Sequence, residues 1–150
     1  MEEEILALYE EGAKYDYALL KLEKNVERIQ YFALFRDLNT MPKLTVCGYN
    51  DSDTLMSHSN KPAARKDGIL FYDIDTASGQ SGSPLFEEEE DSIKIVGVHK
   101  GYSPRAKLNL ATLITVEMVS DLYKLMSEMG VSFQIINPIA KLSTTEIELT

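Results

Sequence analysis

Thr76-Ala77-Ser78-Gly79-Gln80-Ser81-Gly82-Ser83-Pro84 is the stretch on which the reading of this chain turns. A serine hydroxyl is a poor nucleophile unless a base removes its proton and preorganised N–H donors meet the oxyanion that its attack creates. The glycines on either side of Ser81 speak to the second requirement. Without a Cβ, Gly79 can take a conformation that aims its N–H, with that of Ser81, at one point outside the chain, so that backbone alone builds an oxyanion hole. Two arrangements of glycine around serine must be told apart. The strand-to-helix elbow needs Gly-x-Ser-x-Gly, yet position 83 is serine and Pro84-Leu85-Phe86 reads as strand rather than helix. Ser81, Asp91 and His99 follow the elbow's order in the chain, but they leave no room for the α/β units between them. What remains is Gly-x-Ser-Gly-x-Pro. A turn serine in a glycine-rich loop would use the same residue types, so the surroundings have to decide.

On both sides of this stretch, strand-like segments recur at Leu44–Tyr49, Ile69–Ile74, Pro84–Phe86, Ile93–His99 and Leu108–Ile114, separated by Asn, Asp, Ser, Gly and Pro. Short strands at such spacing without intervening helices predict an antiparallel barrel or sandwich. One helix closes the pattern. Thr115 is a good N-cap, Glu117 suits the positive end of the dipole, and Val116, Val119, Leu122, Tyr123, Met126 and Met129 recur at helical spacing before Gly130. This stripe reads as packing against the barrel. Upstream, Tyr17 to Leu22 reads as a short buried strand, while Ile5 to Tyr9 fits helix or strand equally. Asp51 to Asn60 reads as a polar loop, and the carboxylates Glu87 to Asp91 read as a solvated hairpin tip. Residues 131–150 show no clear period and are assigned no function. The chain thus divides into 1–42, 43–130 with the barrel and its helix, and the tail 131–150.

Composition excludes several functions. The 150 residues are 44% hydrophobic and 26% charged, ordinary for a globular domain, and the net charge of -9 argues against nucleic acid as a partner. No apolar run approaches the ~20 residues of a membrane span, and the acidic start Met1-Glu2-Glu3-Glu4 does not read as a secretory signal. The one cysteine, Cys47, reads as a small buried apolar residue, and one cysteine allows no intrachain disulfide. With His58 and His99 as the two imidazoles, no metal site and no cofactor are expected.

The Gly-x-Ser-Gly-x-Pro stretch, taken with Tyr72-Asp73-Ile74-Asp75-Thr76 before it and Ile95-Val96-Gly97-Val98-His99 with Gly101 after it, resembles the trypsin-like serine proteases, and more closely their glutamyl endopeptidase branch. Tyr15-Asp16-Tyr17-Ala18-Leu19-Leu20-Lys21-Leu22 is similar to the segment that carries the triad aspartate, and Leu108–Ile114 leading into a terminal helix is similar too. The resemblance covers roughly Tyr9 to Met129. It implies an all-β, trypsin-like antiparallel barrel with a C-terminal helix, preceded in 1–42 by a remnant of the N-terminal barrel and a linker. It implies a serine endopeptidase working through an acyl-enzyme, with Ser81 as nucleophile, Asp16 as the orienting carboxylate, and Gly79 and Ser81 as oxyanion-hole donors. Thr76 and His99 would line a pocket for a Glu or other acidic side chain of a protein or peptide substrate, a protonated imidazole adding charge to the hydrogen bonds. It also implies a secreted parent protein.

One element of the pattern is missing. In trypsin-like enzymes the histidine precedes the aspartate by about 45 positions. Here 15 residues precede Asp16, with no histidine among them. His58 matches no base position and reads as a surface histidine; His99 is expected in the pocket floor. The sequence therefore supports an endopeptidase represented by an incomplete chain, whose base would come from a further segment or chain, or a catalytically dead relative that binds acidic peptides. A purely structural interaction domain is a third reading.

Overall fold

A computed structural model of the chain describes residues 2–24, 33–35, 41–89, 92–131, 135–136 and 144–147. The strands that matter are β1 (Ala33–Phe35), β2 (Leu44–Tyr49), β3 (Leu55–Asn60), β4 (Pro62–Lys66), β5 (Ile69–Tyr72), β6 (Pro84–Glu89), β7 (Ser92–Ser103) and β8 (Leu108–Leu113). Helix α1 (Glu2–Gly12) precedes them, α2 (Val116–Glu128) follows, and the short β9 (Ile135–Ile136) and β10 (Thr144–Ile147) come last. Strands β2 to β8 pair antiparallel in the order β3-β2-β6-β7-β8-β5-β4, the barrel expected of a trypsin-like fold. The two ends of this order, β3 and β4, follow each other in the chain across Lys61. Outside it, β1 runs parallel to β7 and pairs antiparallel with β10.

Alternation decides which residues fill the barrel. Leu44 and Val46 on β2, Leu70 and Tyr72 on β5 with Ile74 just beyond, Leu85 on β6, Val96 on β7 and Ala111 on β8 form one buried cluster. They stand two apart within each strand, on the inward face of the pleat. The predicted strands at Leu44, Ile69, Pro84, Ile93 and Leu108 are all present. Strands β3 and β4 are additions, in and just after a stretch read as a polar loop. They form an edge with almost every residue exposed, so no apolar face marks them in the sequence. Cys47 is half-buried. Glu87 to Glu89 lie in β6, extending it beyond Phe86; the carboxylates at 90 and 91 are outside the described residues.

The terminal helix forms as its sequence predicts, with the Thr115 hydroxyl accepting from Met118 N at 3.2 Å. Met118, Val119, Leu122 and Met126 are buried, whereas Val116 and Met129 are exposed, so the apolar stripe is rotated toward Met118. Tyr17 and Leu19 pack on the same cluster as Ile114, Met118, Val119 and Leu122. From Tyr17 to Leu20 half-buried and exposed residues alternate, Lys21 and Leu22 are exposed, and no described strand pairs with the segment, so it is not the buried strand expected. Its other face is open, Leu20 being 80% exposed. The ambiguous Ile5–Tyr9 is helical, within α1. Behind α1, Ala13 is buried with Ile69 and Leu110, and the Thr112 hydroxyl donates to the carbonyls of Ala13 and Asp16.

Candidate active site around Ser81

The turn that carries Ser81 is built from overlapping backbone bonds. Gln80 N donates to Ala77 O at 3.2 Å and Ser83 N to Gln80 O at 3.0 Å. Gly82 N donates to His99 O at 2.8 Å, and His99 N to Ser83 O at 2.9 Å, which clamps the turn to β7. On the other side Asp51 N donates to Ser78 O at 2.9 Å. Gly79 must be glycine: its φ is +95°, and a Cβ there would lie 2.4 Å from Asp51 N. Gln80, 2% exposed, holds the turn from inside. Its Oε1 accepts from Ala77 N at 2.7 Å, and its Nε2 donates to Gly48 O at 3.2 Å and Met56 O at 3.4 Å.

Several amides of the turn stand outside this network. Ala77, Gln80, Gly82 and Ser83 donate within the chain, whereas the N–H groups of Ser78, Gly79 and Ser81 donate to no acceptor among the described residues. The Ser81 side chain is exposed, and its Oγ donates to Lys100 O at 2.8 Å.

Lys100 links the two expected triad members. Its carbonyl accepts the hydrogen bond from the Ser81 hydroxyl, while its ammonium meets Asp16 Oδ2 at 2.6 Å. The same ammonium lies 4.6 Å from the centre of the Tyr9 ring, a cation–π contact from α1. Asp16 follows the short 3₁₀ turn Ala13–Tyr15 and is placed by the burial of Ala13 and by Thr112. Lys100 is the residue that sequence reasoning missed. Its partner Asp16 is 84 positions away, so no local pattern announces the pair. Gln80 and Tyr72 were missed as well. Tyr72 carries the one available signal, since a tyrosine at an inward strand position needs a partner for its hydroxyl.

That partner is His99. Only 3% exposed, its Nδ1 lies 2.5 Å from Tyr72 Oη, which also donates to Leu110 O at 3.4 Å. Burial pushes the His99 imidazole down to about 4 and raises the Tyr72 hydroxyl. His99 is thus neutral at neutral pH and does not carry the charge expected of a protonated imidazole. Thr76 is half-buried at the end of the segment that follows β5; no hydrogen bond joins it to His99 among the described residues. The structure thus brings Ser81, Asp16 and Lys100 into one network and ties the backbone of His99 to the Ser81 turn. His58 is placed elsewhere, on β3. Among the described residues no three His, Cys, Asp or Glu side chains gather as a metal-ligand set, and no helix is long and apolar enough to cross a membrane.

No protein-family model matches the chain, and no curated protein sequence matches it. Solved structures do. A Glu endopeptidase in complex with MPD is similar at 22% identity with a TM-score of 0.57, over 65% of this chain and 47% of its own. Catalytically inactive tobacco etch virus protease complexed with substrate is similar at 20% identity with a TM-score of 0.46, over 63% of this chain and 45% of its own. The chain spans about half the length of these proteins, and its fold is that of the chymotrypsin-type proteases.

Proposed function

We propose that this chain is the nucleophile-bearing part of a serine endopeptidase that forms an acyl-enzyme on Ser81 and prefers Glu or another acidic side chain. One observation carries the reading: the two turn amides on either side of Gln80, those of Gly79 and Ser81, are left without an acceptor beside an exposed hydroxyl. Both residues are exposed, so these amides are open to solvent, and a turn fixed by its other hydrogen bonds suits an oxyanion that forms only during reaction. Ser81 Oγ attacks the substrate carbonyl carbon, its proton passes to a base, and the carbonyl oxygen becomes the oxyanion between the two amides. The base collapses the intermediate by giving that proton to the leaving amine. The base is an imidazole supplied by a further segment or a partner chain. Lys100 cannot serve: an ammonium held by a carboxylate has no lone pair to accept a proton. An incoming imidazole therefore takes Asp16 from Lys100. Thr76 and the neutral His99 offer hydrogen bonds to the substrate's acidic side chain.

A second reading has its own support. With Ser81 Oγ donating to a carbonyl and Asp16 neutralised by Lys100, the site as it stands is unactivated, as suits a domain that binds acidic peptides without cutting them. Fluorophosphonate labelling of the protein as isolated from its cells, with the adduct located by mass spectrometry, separates the two. The endopeptidase reading expects an adduct on Ser81 that vanishes in Ser81→Ala. Binding of a Glu-ended peptide with no adduct on Ser81 would establish the second reading instead. For the active enzyme, a peptide-library profile dominated by cleavage after Lys would overturn the acidic preference.

A further inference from the structure

The barrel is closed by side chains where its backbone ladder ends. Beyond β5 the chain continues as Asp73–Thr76 between β3 and β8, outside any described strand. Three side chains hold it. Asn60 Nδ2 donates to Asp73 O at 2.9 Å, Asn109 Nδ2 donates to Ile74 O at 2.7 Å from β8, and Asp75 N donates to His58 Nδ1 at 2.7 Å. Residues 58 and 60 stand on one face of β3, two apart, so their side chains reach alternate backbone groups of the segment as a neighbouring strand would. This segment delivers Thr76 and leads directly into the Ser81 turn.

A ring nitrogen that accepts from a backbone N–H carries no proton. The Asp75 bond therefore requires the neutral tautomer of His58 with its hydrogen on Nε2. We propose that His58 is a positioning residue: its neutral imidazole fastens the Asp73–Thr76 wall to β3, and its protonation releases the Asp75 amide. An imidazolium has two donors and no acceptor, so the Nδ1–H turns from the amide to the Asp75 carboxylate, whose Oδ2 lies 3.7 Å away. Among the described residues, that carboxylate is the charged group paired with the ring. Opposite on β2 stands Val46, the flanking positions on β3 are Ser57 and Ser59, and Asp73 is exposed one pleat along the segment. The fastening does not depend on Ser81 being a nucleophile. Its consequence for ligand binding, a wall that loosens on acidification, rests on the proposed pocket at Thr76.

Amide hydrogen exchange at Asp75, followed with the ¹⁵N shifts of the His58 ring across pH, tests this. The expected result is the Nε2–H tautomer at high pH, with the protection of the Asp75 amide, corrected for intrinsic exchange, falling about tenfold as the ring takes up its proton. His58→Asn keeps an acceptor near the Nδ1 position and should keep the protection with no step in pH; His58→Leu should lose it at every pH. An Nδ1–H tautomer, a protection that ignores His58 protonation, or unchanged protection in His58→Leu would overturn the proposal. The affinity of a Glu-ended peptide separates the two readings. A step in the wild type that His58→Asn abolishes supports both, and a peptide that binds at no pH counts against the Thr76 pocket while the exchange result stands on its own.

Discussion

At the scale of the residue, two positions are constrained by surroundings that their residue types do not announce. His99 is an ionisable group held neutral by burial, with its folded-state value about 4 against 6.5 in the unfolded chain. Because the folded value is the lower one, the unfolded chain takes up the proton first. The stability due to the neutral ring is fully present above pH of about 6.5 and is lost as pH falls toward about 4, an effect of roughly 3 kcal/mol at most. Urea unfolding at pH 7, 5.5 and 4.5 should show this decline, and His99→Gln should flatten it; an equal decline in both proteins would refute the assignment. Gly79 is constrained by space rather than charge. Gly79→Ala meets a backbone nitrogen at positive φ and should destabilise the fold by about 2 kcal/mol or more, read from the same unfolding midpoints. Neither residue's environment is legible in the chain. The glycine motif signals an unusual turn, but not that Asp51 fills the space where a side chain would go.

At the scale of the element, the clearest sequence signals are the ones the structure keeps. The α2 helix needs only its own residues: a capping threonine, an acidic first turn and an apolar stripe. Thr115→Ala removes the oxygen that accepts from Met118 N and should lower stability by about 1 kcal/mol, a shift measurable in the thermal midpoint. The strands were legible where one face is buried, because alternation is then forced on the sequence. They were not legible at β3 and β4, where exposure on both faces allows almost any polar residue. Tyr17–Leu22 shows the converse. Its alternation reflects Tyr17 and Leu19 packing on α2, and period two records a buried side, not a strand partner. The strand β7 carries the most consequence, since His99, Lys100 and Ser103 all lie on it. It holds the Ser81 turn through the backbone of His99, Asp16 through Lys100, and α1 through Ser103, whose hydroxyl donates to Glu10.

At the scale of the whole molecule, stability rests on one barrel core, with the N-terminal segment fastened outside it. Leu70 is fully buried, and Leu70→Ala should cost about 2–5 kcal/mol by removing contacts and leaving a cavity. Leu20, 80% exposed, should tolerate Leu20→Ser within about 0.5 kcal/mol in the isolated chain. Chemical denaturation of both variants checks the contrast. If a further segment or partner chain supplies the base, its docking should reverse the Leu20 result, because the exposed side of Tyr17–Leu22 then becomes an interface.

The sequence by itself determined the class of fold, the terminal helix and the turn around Ser81, because each depends on local rules: alternation under one-sided burial, capping chemistry, and glycines at fixed offsets from a serine. Only the tertiary structure decided what surrounds that turn. The grip of Lys100 on Asp16, the burial that leaves His99 uncharged and the side chains that close the barrel at Asp73–Thr76 all join residues far apart in the chain. Such pairings arise from how strands curl past one another, and no periodicity along a single chain encodes them.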